Sequence, residues 1–156
     1  MQKSNPPVGK QEYKSKFKMD DFKKKHLYTL AIVSAFIEKD NKYLLIYDPR
    51  FSCWRVPGGK VAFGEKIEDA LLREMKEELK VKLDIDKFLG FGQDKMVFKK
   101  KFQTSRIIFY FRCKIKSDEI NPDQKEISKY KWLSLSEIKK HRNLEGAMKD
   151  YFRRFC

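Results

Sequence analysis

The sequence predicts an α/β domain, a mixed sheet with hairpins flanked by helices around one long central helix. Three observations lead there. Apolar, β-branched runs bounded by turn residues stand on both sides of a single long helical stretch, residues 66–80. Neighbouring runs return on themselves as hairpins, at 26–47 and again at 95–115. One long helix and several hairpins do not make a doubly wound parallel sheet. With 156 residues, 41% hydrophobic and 14% aromatic, the chain suits one folded domain and is too aromatic for disorder.

Residues 1–26 read as a basic extension, with eight lysines against Glu12, Asp20 and Asp21, and the domain is expected over 27–156. Pro6, Pro7 and Gly9 loosen its start, and Tyr13, Phe17 and Phe22 suggest a short helix over 10–25. Residues 26–37 are too apolar to alternate cleanly and read as a strand buried on both faces. Asp40-Asn41 supplies the turn, and 42–47 returns. A short extended piece, 53–56, precedes Pro57-Gly58-Gly59. In the helix, Leu71, Leu72, Met75 and Leu79 form one stripe at ~100° per residue, and Glu74, Glu77 and Glu78 fill the adjoining arc. Lys66 stands where a capping Ser or Thr is expected, and Glu68 and Asp69 partly compensate through the helix dipole. Residues 81–85 alternate as a half-buried strand; 95–101 and 106–115 form the second hairpin, turning near Gln103-Thr104-Ser105. Residues 129–133 are a short strand, Ser134 and Glu137 a capping box, and 144–155 a closing helical stripe.

Net charge is +14, which attracts polyanions without choosing among them. No apolar run is long enough to cross a membrane, and the first 18 residues lack the apolar core of a secretory signal. Cys53, Cys113 and Cys156 are scattered and odd in number, which argues against a disulfide framework or zinc site and for the cytoplasm. Cys53 reads as a buried small apolar residue, and His26 and His141 as structural or exposed.

The acidic arc carries the chemistry. Phosphate-ester oxygens repel an attacking water; a hard divalent ion screens that charge and wants several carboxylate oxygens. Glutamates at i, i+3 and i+4 converge on one helix edge, and a glycine turn lets backbone approach the ion. From Gly59 the chain runs five residues to Glu65, seven more to Arg73, and then Glu74, Met75, Lys76, Glu77, Glu78, Leu79, Lys80 and Val81. This resembles the box of the Nudix hydrolases, with Lys80 in place of its last glycine, and Trp54-Arg55-Val56-Pro57-Gly58 is similar to the strand and turn that lead into it. The resemblance implies an α/β/α sandwich with a mixed central sheet and a catalytic helix. It implies hydrolysis of nucleoside diphosphates linked to another moiety, with Mg²⁺ or Mn²⁺. It implies Glu77 and Glu78 as principal metal ligands beside the Gly58 carbonyl, and Glu74 as ligand or general base. It makes Arg73 the residue that orients the carboxylates and Glu65 a further ligand or support. Glu126 is the best candidate for a fourth carboxylate from a loop, ahead of Asp123 and Glu119.

The expected partner is a small nucleotide, with RNA as the alternative suggested by the charge; a membrane is excluded and a homodimer left open. The features that mark ADP-ribose, diadenosine-polyphosphate and coenzyme A subfamilies are not visible: the region near Lys95 has no proline, and Met96, Val97 and Phe98 stand where a tyrosine is expected. Lys95, the lysines at 99–101 and Arg106 offer a basic wall, while Trp54, Phe51 and Phe98 are candidate base-stacking surfaces. Core packing is the expectation for Trp54 and Trp132.

Overall fold

The computed structural model describes residues 29–98, 102–116 and 119–156. The extension over 1–26, its expected helix, His26, residues 99–101 and the Phe98 side chain lie outside them. The central strand is β1 (Thr29–Lys39). Its residues 32–37 are buried, as expected for a run without polar alternation. Asp40 and Asn41 both take positive φ, 52° and 59°, and turn the chain directly into β2 (Lys42–Asp48).

β1 and β2 pair only beside that turn and then splay. The opening is filled by β3 (Cys53–Arg55), which pairs with β2, and β4 (Gly58–Lys60), which pairs antiparallel with β1. This wedge sets Gly58 and Gly59 against the helix that follows, α1 (Ile67–Leu79). On its other edge β1 runs parallel to β6 (Phe102–Ile115), which pairs antiparallel with β5 (Leu83–Phe98). β7 (Lys129–Leu133) borders β2, giving a seven-stranded mixed sheet. α2 (Leu135–Lys140) opens with the expected Ser134–Glu137 capping box, and α3 (Gly146–Phe155) closes the chain.

Alternation along β1 divides the core into two layers. Val33, Ala35 and Ile37 pack with Leu71, Met75 and Leu79 of α1. Ile32 and Phe36 pack with Ile138, Met148 and Tyr151 from α2 and α3. The sheet is therefore covered on both faces, an α/β/α sandwich with a mixed central sheet.

Three local expectations need correction. The second hairpin does not turn at 103–105, because Gln103, Thr104 and Ser105 are paired within β6 to Val97, Met96 and Lys95. The strand expected at 81–85 begins at Leu83 and runs unbroken into the hairpin; Val81 precedes it, buried. Gly90 and Gly92 hide that continuity. At Gly92 a Cβ would collide with the Ala147 carbonyl, so the strand lies directly under α3. Leu72 is 40% exposed, because the buried arc of α1 extends past Glu78 toward Ala70, where β4 packs.

α1 has no side-chain cap at Lys66. At its other end Lys80 adopts the left-handed conformation (φ 58°, ψ 30°) that glycine takes without penalty, and its Nζ donates to the Glu77 carbonyl at 2.8 Å. Lys80→Gly is expected to stabilise the fold by about 1 kcal/mol, a rise in Tm of roughly 2–4 °C in a thermal melt. An unchanged or lower Tm would show that the lost amine bond and the freer unfolded chain outweigh the relief of strain.

Candidate active site

The acidic arc of α1 faces a cleft of about 770 Å³ between the glycine turn, the start of β1 and the loop after β2. Glu74 and Glu78, one turn apart, both line it, together with Gly58 and Gly59. Glu77 lies one step round the helix, 61% exposed, and does not line the cleft. Gly58 is sterically required, and a side chain at Gly59 would displace Glu74. A Cβ on Gly58 would overlap the Val33 carbonyl, and one on Gly59 would overlap the Glu74 carboxylate.

Two arginines organise these acids. Arg73 is held at both oxygens of Glu65, through Nε at 2.8 Å and Nη2 at 2.9 Å. Its Nη1 reaches Glu74 Oε1 at 2.8 Å and Glu77 Oε2 at 3.1 Å, and Nη2 also donates to the Lys60 carbonyl. The Arg73 bonds, with the Ala62 N–H, pull the Glu65 carboxyl down to about 2. A depressed carboxyl contributes stability that is complete above its unfolded value near 4.5 and is lost as pH falls through about 2. Glu65→Gln is therefore expected to flatten the acid limb of stability between those values. Denaturant melts against pH, beside the wild type, read this directly; parallel limbs would rule it out.

The second arginine is Arg55, 5% exposed. Its Nη2 donates to Glu78 Oε1 at 2.8 Å, its Nη1 to the Gly58 carbonyl at 3.0 Å, and its Nε to Asp48 Oδ2 at 3.0 Å. The Gly58 N–H donates to Glu78 Oε2 at 2.9 Å. Burial pushes the Glu78 carboxyl up, and Arg55 and the Gly58 N–H only partly offset this. Burial likewise opposes the charge on Arg55, but Glu78, Glu145 and Asp48 outweigh it and keep the guanidinium protonated. Asp48 is fully buried and also takes three bonds from Arg50, from its Nε and Nη2 at 3.0 and 2.8 Å and from its backbone N–H at 3.0 Å.

Glu126 stands at the rim, lining the cleft, with Arg50 Nη1 3.6 Å away. Asp123 and Glu119 do not line it. Of the second hairpin's described cations only Arg106 lines the cleft, and it is buried between Asp94 and Glu145, so it is no basic wall. Phe51 lines the cleft; Trp54 does not, and packs half-buried under Lys131, whose Nζ is 3.9 Å from its ring centre. Lys131 also meets His141 Nε2 at 2.7 Å. Cys53 is half-buried rather than buried, and burial, with Glu145 and Asp48 nearby, pushes its thiol up to about 11, which leaves it protonated. Sequence reasoning missed Arg55, Asp48, Asp94 and Glu145. A charge inside the otherwise apolar Trp54-Arg55-Val56-Pro57 was the available signal for the first.

The profile of the NUDIX domain matches residues 27–155. The chain belongs to the Nudix family. It is 41% identical over 87 residues to an ADP-ribose pyrophosphatase of Methanocaldococcus jannaschii, covering 53% of this chain and 52% of that protein. It is 34% identical over 111 residues to Nudix hydrolase 2 of Arabidopsis thaliana, 67% of this chain and 39% of that one. The chain thus matches about half the length, or less, of these curated relatives. Among solved structures, the MutT protein of Methanosarcina mazei superposes with a TM-score of 0.68 at 23% identity, over 83% of this chain and 94% of that one, which shows the shared Nudix fold. Nudix hydrolases generally use divalent metal ions.

The donor set suits such an ion. Glu74 Oε2 takes no hydrogen bond from Arg73, Glu78 brings a second carboxylate, and Gly58 brings backbone to the same cleft, its carbonyl held by Arg55 Nη1: hard oxygens of two kinds. Among the described residues no three acids, thiols or imidazoles close into a ready-made cage. A divalent ion held through one or two carboxylates completes its shell with water and substrate phosphate. Among the described residues no helix is long and apolar enough to cross a membrane.

Proposed function

We propose that this protein is a divalent-metal-dependent pyrophosphohydrolase that cleaves the anhydride of a nucleoside diphosphate linked to another moiety. The observation that carries the reading is the convergence of Glu74, Glu78 and the Gly58 backbone on one cleft, braced from behind by Arg55 and Arg73. In the reaction water adds to one phosphorus and the anhydride oxygen leaves with the other phosphate. The metal, Mg²⁺ or Mn²⁺, supplies charge screening and a more acidic bound water. Glu74, Glu78 and the Gly58 carbonyl would hold it, with Glu126 at the rim and Glu77 on the helix edge just outside the cleft as the further carboxylates available to it. Arg73 fixes Glu74 through Oε1, leaving Oε2 for metal or for a water proton. Glu65 does not line the cleft; held by Arg73 at both oxygens, it supports the site by positioning that arginine.

The Methanocaldococcus relative's name makes ADP-ribose the first substrate to try, although the expected subfamily proline is missing near Lys95. The test is phosphate-product release with Mg²⁺ from ADP-ribose, nucleoside triphosphates, sugar nucleotides and dinucleotides. RNA bearing a 5′-triphosphate belongs in the same screen, since a charge of +14 suits it. Turnover of one of these is the expected result; release from none of them defeats the reading.

A further inference from the structure

A second surface lies outside the cleft, on the α2 side of the sheet. β2 lies between β7 and β3, and Tyr47 is paired with Lys129 on one side and Trp54 on the other. Residues directly opposite share a face, so all three project together, with Lys131 two residues along. Lys129 Nζ lies 4.8 Å from the Tyr47 ring centre and 5.8 Å from that of Trp54. Lys131 Nζ, over Trp54 and bonded to His141, completes a row of two ammonium groups on two rings. His141 ends α2; Lys139 and Lys140 stand in the last turn of that helix and Arg142 just beyond it, all three exposed.

Over 129–142 five cations stand against one acid, Glu137, and its carboxylate is taken up by the Ser134 N–H and hydroxyl of the capping box. Among the described residues no ion pair reaches any of the five. Ring stacking fixes Lys131 but supplies no counter-charge. Burial, and then Lys129, pull the Lys131 ammonium down, so the two charges are held together unfavourably. An anion from outside relieves this. The row also runs on to the cleft. The Trp54 N–H donates to the Asn143 carbonyl at 2.9 Å, and Asn143 Nδ2 donates to the Ser52 carbonyl at 3.0 Å. From His141 the chain takes four residues, ~14 Å at full stretch, to reach Glu145, which lines the cleft. Phe51, 38% exposed on the cleft, stands three residues before Trp54.

We infer that this row is a track for the phosphodiester backbone of a single-stranded RNA whose 5′ end enters the cleft. Lys129 and Lys131 hold a phosphate beside the Tyr47–Trp54 shelf, and Lys139, Lys140 and Arg142 carry the strand onward. For the end in the cleft this rests on the RNA arm of the proposed hydrolysis, and it adds where the body of such a substrate lies. Cations with aromatic rings set among them are how single strands are held without sequence preference. A strand that begins with a 5′-triphosphate is RNA, and a polymer has phosphates to place beyond the cleft that takes its end. An anionic membrane would meet the same lysines but has no end to place there.

Fluorescence anisotropy of a 3′-labelled RNA of roughly 12 nucleotides, titrated with the full chain without divalent metal, reads binding with no cleavage. Lys129→Glu with Lys131→Glu is compared with Lys87→Glu with Lys114→Glu, an equal change of charge at exposed positions on β5 and β6. The first pair is expected to weaken RNA binding about tenfold at low salt. It should also lower the slope of log affinity against log salt by about 1.4, two contacts at about 0.7 each. The second pair should change both by less than half as much, and turnover of a free nucleotide should be unchanged in either. If Lys131→Glu disturbs the packing on Trp54, Lys129→Glu with Arg142→Glu asks the same of exposed residues alone. Equal losses in the row and control pairs would mean that net charge alone binds RNA and overturn the inference, as would no binding by the wild type. Row variants that keep RNA but release phosphatidylserine vesicles would make a membrane the partner, and overturn it too. RNA that binds through the row yet releases no phosphate from its 5′-triphosphate upholds the track and removes RNA from the substrates.

Discussion

Glu78→Gln is expected to lower turnover of whichever nucleotide the protein cleaves by at least about a hundredfold at saturating Mg²⁺. Removing a partner that merely supports a metal ligand typically costs 10–100-fold, so loss of a ligand sets that as the floor. Gln keeps the shape but not the chemistry. Glu78 accepts from Arg55 Nη2 and from the Gly58 N–H, one at each oxygen. An amide has only one oxygen, so its NH₂ must face one of those two donors. The change also removes a negative charge from the place where an ion and Arg55 both need it. The mismatch costs stability, on the order of 1–3 kcal/mol for the donor left unpaired, and a melt must show the variant folded at assay temperature. Glu77→Gln is the natural companion, because Glu77 is exposed and its pair with Arg73 is a surface one, so its neutralisation is expected to cost little stability. A folded Glu78→Gln with wild-type turnover would remove Glu78 from the site.

The helix and its partners were legible for a physical reason. Acidic side chains on one helix edge, with a glycine turn at fixed spacing, are local features, and spacing encodes them. Leu83–Phe98 was harder to read as one strand, because Gly90 and Gly92 look like breaks until α3 is seen packed on them. Asp48, Asp94, Arg106 and Glu145 come from four separate parts of the chain and meet only because β3 fills the gap between β1 and β2 and α3 returns beneath it. No periodicity encodes such a meeting. Arg106 illustrates the difference. In sequence it stands among lysines and looks like part of a basic face; in the fold two acids close over it. Glu77 shows a different limit of the pattern. The i, i+3, i+4 pattern puts it with Glu74 and Glu78, but the arc is wide enough that one member lies outside the cleft.

Arg55→Met should be the most destabilising single change at this site, by about 3–5 kcal/mol, read from denaturant melts. Met fills comparable volume but carries no charge. Arg55 is 5% exposed and ties together Asp48, Glu78 and the Gly58 carbonyl, so its loss strands buried carboxylates. Asp48 retains Arg50, which is half-exposed, whereas Glu78 retains only the Gly58 N–H. Glu78 should therefore take up a proton more readily, since burial already raises its pKa and Arg55 is the main influence holding it down. The sign follows. In the variant the folded-state pKa of Glu78 rises further above its unfolded value. Protonation then favours the fold, and the deficit relative to wild type grows as pH rises through that raised pKa. Arg55→Lys keeps the charge but replaces the guanidinium fork with a single ammonium, and should recover only part of the loss. If Arg55→Met costs less than about 1 kcal/mol at neutral pH, the buried network is not what holds Glu78 in place. The rigid backing of the catalytic edge would then have to come from the β4 turn alone.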